Sequence, residues 1–136
     1  MASVKAIEAR GFSFRYPEST AGIGPLDWAV EEGSFQLLVG ATGSGKTTLL
    51  GSCKPAIAPA GVRAGSRQVF GRSVEKLDAR EAAATVGYVA QSPENQIVCD
   101  SVWHELAFGL ENLGVEQDEM RRRVAEVAHF FGIEPW

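Results

Sequence analysis

One short stretch constrains this chain more than any other. Residues 40–48 read Gly-Ala-Thr-Gly-Ser-Gly-Lys-Thr-Thr, after an apolar run at 35–39 and before a helical pattern that starts at Thr48. A strand, a glycine-rich turn and a helix in this order aim successive backbone N–H groups at one point, which is how proteins cradle phosphate groups. The spacing of Gly, four residues, then Gly-Lys-Thr therefore predicts a phosphate-binding loop and a nucleoside triphosphate ligand.

Each residue type in this loop has a physical reason. Glycines permit backbone angles and close approach that a Cβ would block. Lys46 is expected to reach the β- and γ-phosphates, and the Thr47 hydroxyl to complete the shell of a bridging Mg²⁺. Thr48 can offer a further hydroxyl or N–H toward the α-phosphate. The predicted binding residues of the loop are Gly40, Gly43, Ser44, Gly45, Lys46, Thr47 and Thr48. A Gly- and Ser-rich linker that matches by chance is the alternative, and the flanking strand and helix argue against it.

Composition narrows the class of protein. The chain has 136 residues, 45% hydrophobic and 22% charged, which is ordinary for one soluble globular domain. Its net charge of −4 argues against a broad basic surface for nucleic acid. No stretch is apolar enough to span a bilayer, and the N-terminus lacks a signal-peptide pattern. Cys53 and Cys99 form no CxxC pair, so we expect two free thiols in a cytoplasmic protein.

The order of patterns along the chain predicts strands first and helices later. Alternating apolar residues predict strands at 4–16 and 26–30, separated by a loop at 17–25 that is rich in Gly and Pro. Further strands are expected at 35–39, 66–70 and 86–90, the last of them buried. Helices are expected at 45–53, in the second half of 74–84, at 101–113 and at 116–131. Arg121, Arg122 and Arg123 are expected on the solvated face of the last helix.

Two residues outside the loop are candidates for the same site. Tyr16 ends the first predicted strand just before Pro17, where an aromatic ring can stack on a nucleotide base; a core or surface tyrosine is the alternative. Gln91 follows the predicted strand at 86–90. Polar groups at strand ends in open α/β sheets commonly face the ligand crevice, so Gln91 is a second candidate.

Three motifs in order resemble the first half of an ABC transporter ATPase. They are Phe-Arg-Tyr-Pro at 14–17, the loop at 40–48, and Val-Gly-Tyr-Val-Ala-Gln-Ser-Pro-Glu-Asn-Gln at 86–96. Gln-Ile-Val at 96–98, Ser-Val at 101–102 and the run 107–115 look like the ATP-binding subunit of energy-coupling factor transporters, the cobalt-type importers of vitamins and metal ions. The resemblance covers residues 4–133. It implies an α/β P-loop NTPase core with an N-terminal antiparallel β subdomain and the start of a helical subdomain, an incomplete domain divided into residues 1–90 and 91–136.

The resemblance also implies roles and partners. Tyr16 would stack on adenine, and Gln91 would contact Mg²⁺ and the attacking water; Lys46 and Gln91 are the candidate catalytic residues. ATP and Mg²⁺ are the implied ligands. Residues 92–113 would face a transmembrane coupling subunit, and a second ATPase subunit would pair head to tail, at the cytoplasmic face of the membrane. Trp103 and His104 stand where the family usually carries acidic residues, a departure in this partner-facing segment; His104 is expected to be a surface or interface histidine.

Several family elements are missing from the sequence. It contains no Leu-Ser-Gly-Gly-Gln signature, no strand of four apolar residues followed by Asp and a catalytic Glu (the Walker B motif), and no switch histidine. The stretch at 97–100 is the one superficial Walker B candidate, and it is too short and too close to Pro93 to be a sheet strand. The sequence ends at Trp136, so we expect a truncated ATPase that binds Mg-ATP less tightly than the intact subunit, does not hydrolyse it alone, and exposes apolar sheet edges.

Two other readings remain open at the level of sequence. One is a complete, non-catalytic nucleotide-binding or regulatory module of 136 residues. The other is a small-molecule kinase or GTPase, which the lack of an Asn-Lys-x-Asp guanine motif and the early antiparallel strands disfavour.

Overall fold

A computed structural model of the chain describes residues 4–133. These residues form two compact units that divide between Gly87 and Tyr88. The first unit contains the β-sheet and the glycine-rich loop, and the second contains the two long helices.

The first unit is built on a four-stranded antiparallel sheet. Its strands are β1 (Lys5–Arg15), β2 (Gly22–Glu31), β3 (Val62–Val69) and β4 (Arg72–Ser73), in the order β2-β1-β3-β4. Arg15 lies opposite Gly22 on one side and Val62 on the other, so β2 and β3 both begin beside the last residue of β1. The predicted antiparallel start of the chain is confirmed. The loop predicted at 17–25 is shorter than expected, because pairing with β1 extends β2 back to Gly22, and β3 likewise begins four residues before the predicted strand.

Two short helices complete the first unit. Helix α1 (Lys46–Gly51) starts directly after the glycine-rich loop and is shorter than the predicted 45–53, with 3₁₀ turns at Pro55–Ile57 and Val74–Lys76. Helix α2 (Ala79–Thr85) begins at a capping box in which Asp78 accepts from the Glu81 N–H and Glu81 accepts from the Asp78 N–H. This box satisfies backbone donors that a helix start otherwise leaves unpaired, which explains why α2 begins where it does.

Two apolar clusters hold this unit together. The first joins the sheet to α1 and consists of Ala9, Phe12, Phe14 and Leu49, with Ile23, Leu26 and Trp28 packed against it. The second lies between β3 and α2 and consists of Val69, Val74, Leu77 and Ala82, with Val86 at its edge. The first cluster fixes α1, and therefore the loop that precedes it, against the end of the sheet where Arg15 and Gly22 pair.

A buried arginine links β3 to the rest of the unit. Arg67 is 4% exposed, and its guanidinium lies 4.8 Å from the centroid of the Phe12 ring. The same group donates to the backbone carbonyl of Ser52, which is fully buried, and to the carboxylate of Glu75. Arg67 thus connects the first cluster, the end of α1 and the 3₁₀ turn after β4.

Two predicted strands are absent from the described residues. Neither 35–39 nor 86–90 has regular secondary structure, and Phe35, Leu37 and Val89 are largely exposed. A strand needs a partner for its backbone groups, and no strand of residues 4–133 lies beside either segment. The first segment is held instead by Gln36, which accepts from the Trp28 indole N–H at 3.0 Å and donates to the Ala29 carbonyl at 2.9 Å.

The second unit is a helical hairpin. Helix α3 (Val102–Asn112) is capped by the Ser101 hydroxyl, and α4 (Gln117–Phe131) ends at Gly132, whose φ is +67°. Ala107 and Val124 are the buried residues of the two helices. The predicted helices are confirmed, and Phe131 at the end of α4 is 68% exposed. Within residues 4–133, no helix has both the length and the apolar character needed to cross a bilayer.

The remaining predictions for this region agree with the structure. Arg122 and Arg123 form ion pairs with Glu119, and Arg122 also pairs with Glu126, all on the exposed face of α4. Arg121 is exposed as well. Residues 97–99 carry no regular structure, so this stretch is not a strand, as expected.

Glu105 anchors the segment before α3. Its carboxylate accepts from the backbone N–H groups of Cys99 at 2.8 Å and Val98 at 3.0 Å, and these two bonds hold its pKa below the ordinary value of 4.5. Because the pKa is lower in the folded chain, the anchoring is complete above the unfolded pKa and is lost as the pH falls through the folded one.

We therefore expect acid to release this segment. In an NMR titration from pH 7 to pH 2, the amide signals of Val98 and Cys99 should move with a midpoint below the ordinary Glu pKa of 4.5. Glu105→Gln, whose amide oxygen is uncharged, should remove that titration. Glu111→Gln on the same helix is the matched control and should leave it in place. A midpoint at or above the unperturbed value in the unaltered chain would contradict the anchoring role.

Candidate functional site

The glycine-rich loop adopts backbone angles that only glycine takes readily. Gly43 and Gly45 have φ values of +81° and +92°, and Gly45 immediately precedes α1. The loop is closed by a hydrogen bond from the Ser44 N–H to the Ala41 carbonyl at 3.2 Å. The first backbone bond of the helix runs from the Leu49 N–H to the Gly45 carbonyl at 2.8 Å. The sequence pattern and the backbone therefore agree on a turn that leads straight into a helix.

Lys46 lies folded over this loop. Its ammonium group donates to the carbonyls of Gly40 at 2.8 Å and Ala41 at 2.7 Å, and contacts the Ser44 hydroxyl at 3.3 Å. These acceptors are neutral and solvent-exposed. An anionic oxygen makes a stronger, charge-assisted bond to an ammonium group than a neutral carbonyl does. Lys46 is thus held within the loop by hydrogen bonds, and a phosphate oxygen can replace their neutral acceptors.

Gly45 is also a point of close approach to β2. A Cβ built on Gly45 would lie 2.1 Å from the Cγ2 atom of Ile23. Ile23 itself packs against the first apolar cluster. The start of β2 and the end of the loop are therefore in direct contact, with no room for a side chain between them.

Gly45→Ala is expected to disrupt this junction. The substitution combines a steric conflict with a left-handed backbone angle that costs about 1–2 kcal/mol for a residue with a Cβ. We expect a lower thermal midpoint and weaker binding of Mg-ATP by isothermal titration calorimetry. In Gly45→Ala/Ile23→Ala the steric conflict is relieved but the backbone strain remains, so part of the loss should persist. Gly71→Ala, at a positive φ with open space around it, is the control for backbone strain alone. Equal losses of thermal midpoint for Gly45→Ala and Gly71→Ala would contradict a specific role for the Ile23 contact.

A cavity of about 550 Å³ brings most of the predicted residues of the first unit together, although Gly40 and Ser44 do not line it. It is lined by Tyr16, Thr20, Ala21, Gly22, Ile23, Gly43, Gly45, Lys46, Thr47 and Thr48. One wall is the loop with the start of α1, and the opposite wall is the turn between β1 and β2. Tyr16 and the loop residues, far apart in sequence, thus share one cavity because the ends of β1 and β2 lie over α1.

Sequence reasoning missed the second wall. Residues 20–23 were assigned to a loop without a role, yet all four line the cavity. The sequence does contain a signal for this wall. In an antiparallel hairpin the first residues after the turn lie beside the last residues before it, so the residues that follow the turn after Tyr16 must lie next to Tyr16. The Tyr16 N–H does donate to the Ala21 carbonyl at 3.1 Å.

Tyr16 is held by two contacts in this cavity. Its hydroxyl lies 2.6 Å from the Thr48 hydroxyl, and its ring meets the buried Phe14 edge to face at 4.7 Å with an interplanar angle of 90°. Tyr16 is 38% exposed, whereas Thr48 is 8% exposed. The ring therefore has a fixed orientation and an accessible part, which an aromatic platform for a base requires.

Thr47 and its surroundings are compatible with Mg²⁺. Thr47 is exposed at the start of α1 and lines the cavity. Residues 4–133 contain no group of three or more His, Cys, Asp or Glu side chains arranged to hold a metal ion. Mg²⁺ bound to nucleotides commonly takes most of its ligands from phosphate oxygens and water, with one or two from protein, and a single hydroxyl fits that pattern.

Gln91 belongs to the second unit and is exposed there. The cavity is lined only by residues of the first unit, so the predicted contacts of Gln91 with Mg²⁺ and water stay a prediction. Next to it, the Gln96 side chain accepts from the Ala90 N–H at 2.7 Å and donates to the Tyr88 carbonyl at 3.3 Å. These bonds close the turn that carries Gln91.

The two cysteines are free thiols, as predicted. Burial raises the pKa of the Cys53 thiol, and it also raises that of Cys99 together with the neighbouring Glu105 carboxylate. Both groups are therefore protonated at neutral pH and poor nucleophiles.

Comparison with known proteins agrees with this geometry. The family described as ABC transporter matches residues 23–136. A putative ABC transporter ATP-binding protein of Bacillus cereus is 38% identical over 98% of this chain, which covers 24% of that protein. Another, from Archaeoglobus fulgidus, is 33% identical over 96% of the chain and 54% of its own length. A third, from Streptomyces avermitilis, is 41% identical over 79% of the chain and 20% of its length.

The chain thus spans about a quarter of the length of the Bacillus cereus relative and about half the length of the Archaeoglobus fulgidus relative. The family match confirms the predicted fold class, a phosphate-loop ATPase domain with an antiparallel N-terminal sheet followed by helices.

Proposed function

Because this chain belongs to the ABC transporter family, we propose that it is the part of a transporter ATPase that binds ATP. The observation that carries this proposal is the single cavity shared by Tyr16 and the glycine-rich loop. It combines an aromatic platform for the base with a lysine and a helix start for the phosphates. A volume of about 550 Å³ lies within the range of small-molecule sites.

In the proposed complex each residue has one task. The Tyr16 ring stacks on adenine, and Lys46 leaves the Gly40 and Ala41 carbonyls to pair with the β- and γ-phosphates. Thr47 gives its hydroxyl to Mg²⁺, which neutralises phosphate charge when bound, and Thr48 faces the α-phosphate. Gly40, Gly43, Ser44 and Gly45 supply the backbone cradle.

We further propose that the chain does not hydrolyse ATP by itself. Hydrolysis needs a group that orients or polarises the attacking water. Among residues 4–133, no Asp or Glu lines the cavity. Gln91 would contribute to water positioning, and the remaining groups would come from elsewhere in the assembled transporter.

The finer assignment is to the energy-coupling factor type of importer. It rests on the run 86–115, and the cargo would be a vitamin or a metal ion. In this proposal a second ATPase subunit pairs head to tail with this one, and residues 92–113 contact a transmembrane coupling subunit at the cytoplasmic face of the membrane. Trp103 is 40% exposed on α3, as a contact residue must be. Residues 1–90 and 91–136 would be the two parts of the domain.

Calorimetric titration with Mg-ATP tests the proposal. The purified chain should bind, and Tyr16→Ala should bind more weakly by about 1–3 kcal/mol because the base loses its stacking partner. Tyr88→Ala, which removes the only other tyrosine, is the matched control and should bind as the unaltered chain does.

Phosphate release measured on the same samples should stay at background. No binding by a chain whose circular dichroism shows it to be folded would overturn the proposal. Turnover that disappears in Lys46→Ala would contradict the absence of a hydrolytic group.

A further inference from the structure

We propose that the Tyr16 hydroxyl is a positioning group for the phosphate-binding half of the site, acting through Thr48, in addition to the role of the ring toward the base. This inference rests on the proposed function of the same cavity. It assigns the hydroxyl a task that is separate from stacking, since stacking needs only the ring.

The geometry separates the two roles. The Tyr16 hydroxyl and the Thr48 hydroxyl are 2.6 Å apart, which is a short hydrogen bond between two neutral groups. Thr48 is 8% exposed and sits in the first turn of α1, two residues after Lys46. The residue as a whole is largely buried, and the Tyr16 hydroxyl is the hydrogen-bond partner of its hydroxyl. A buried hydroxyl without a partner is costly, which favours keeping this bond in place.

The bond connects elements that the sequence separates widely. Tyr16 follows the end of β1, and its backbone N–H closes the turn to Ala21 at 3.1 Å. Thr48 belongs to α1, which begins at the loop. A second close approach between these two walls of the cavity is between Ile23 and Gly45. These two contacts, one apolar and one polar, join the two walls of the cavity, and Tyr16→Phe removes the polar one while keeping the ring.

The ring itself is already fixed by another contact. Its edge-to-face packing on Phe14 at 4.7 Å does not involve the hydroxyl. Phe14 is 2% exposed and carries the Arg63 guanidinium 5.5 Å from its ring centroid. Tyr16→Phe should therefore keep the base platform and lose only the link to α1.

Binding of inorganic tripolyphosphate with Mg²⁺ distinguishes the two roles, because this ligand has no base. If the hydroxyl positions α1 and the loop, Tyr16→Phe should weaken tripolyphosphate binding by about threefold to tenfold, the range for one neutral hydrogen bond. Mg-ATP binding should weaken by the same factor. Tyr88→Phe is the matched control for loss of a tyrosine hydroxyl and should bind both ligands as the unaltered chain does.

A double-mutant cycle with Mg-ATP supplies a second measurement. Thr48→Val removes the partner of Tyr16 together with its own contact to the ligand, so Tyr16→Phe/Thr48→Val should bind no more weakly than Thr48→Val alone. A merely structural role would lower the thermal midpoint of Tyr16→Phe without this dependence on residue 48.

Results other than these would overturn either the positioning role alone or the proposed function as well. Unchanged tripolyphosphate binding by Tyr16→Phe, or independent losses in the cycle, would overturn the positioning role while leaving ATP binding intact. An unaltered, folded chain that binds neither ligand would overturn the proposed function and this inference with it.

Discussion

Lys46→Ala should reduce the affinity for Mg-ATP by about tenfold to a hundredfold. Of the residues that the structure describes, Lys46 is the one positive side chain that lines the cavity. A hydrogen bond between charged partners contributes about 1.5–3 kcal/mol, and each 1.4 kcal/mol is about a factor of ten in affinity. Calorimetric titration of the two proteins under the same salt and Mg²⁺ conditions measures the difference directly.

This loss should come from binding and not from unfolding. The carbonyls of Gly40 and Ala41 that Lys46 contacts are exposed, so water can replace the lysine there at little cost. The thermal midpoint of Lys46→Ala should therefore stay close to that of the unaltered chain. Lys76→Ala, in an exposed 3₁₀ turn, is the control for loss of one positive charge. Equal affinities for Lys46→Ala and Lys76→Ala would show that this lysine does not contact the ligand.

Lys46→Arg adds a stricter test of geometry. Arginine keeps the charge but replaces a compact ammonium group with a planar fork. The three acceptors now around Lys46 lie within 3.3 Å of one nitrogen, a space shaped for a point charge. We expect Lys46→Arg to bind Mg-ATP more weakly than the unaltered chain, and full affinity in this variant would mean that only the charge matters.

Arg67→Met should lower the free energy of unfolding of the first unit by about 2–4 kcal/mol. Methionine has a similar shape but cannot donate to the buried Ser52 carbonyl, and an unpaired buried acceptor costs about 1–3 kcal/mol. The cation–π contact with Phe12 at 4.8 Å adds about 0.5–2 kcal/mol. Such a loss is a large fraction of the stability of a small domain.

Urea unfolding followed by Trp28 fluorescence measures this loss, with Trp103 and Trp136 replaced by Phe so that the signal comes from the first unit. Arg72→Met is the matched control, because Arg72 also pairs with a glutamate, Glu81, but does so at the exposed surface. Surface ion pairs contribute little, so its midpoint should move far less. Equal shifts for the two variants would show that the buried contacts of Arg67 are not what matters.

Features that arise from local interactions could be predicted from the sequence, whereas features that need contacts between distant parts of the chain could not. The loop at 40–48, the capped helices and β1 follow from local patterns, and the structure has them near the predicted places. The segments 35–39 and 86–90 read as strands because strand patterning reports the side chains only. Whether such a segment becomes a strand is decided by a neighbour for its backbone, and no neighbour is present among residues 4–133.

The candidate site shows the same division. Tyr16 and five of the seven predicted loop residues share a cavity, whereas Gly40 and Ser44 do not line it. The wall formed by residues 20–23 was missed because it is created by the pairing of β1 with β2, a contact between residues that no motif marks. The Tyr16–Thr48 bond joins positions 32 residues apart, and sequence reasoning gave each of them a role without indicating that they touch.

The hydrogen bond between Trp28 and Gln36 makes the indole an optical reporter for the segment that leads into the loop. Gln36 lies in the segment that leads into the loop, and its amide oxygen accepts from the indole N–H at 3.0 Å. Indole emission depends on the polarity and hydrogen bonding around the ring, so movement of this segment changes the colour of Trp28. With Trp103 and Trp136 replaced by Phe, a movement of this segment on ligand binding would be visible in the emission of Trp28 without an added label.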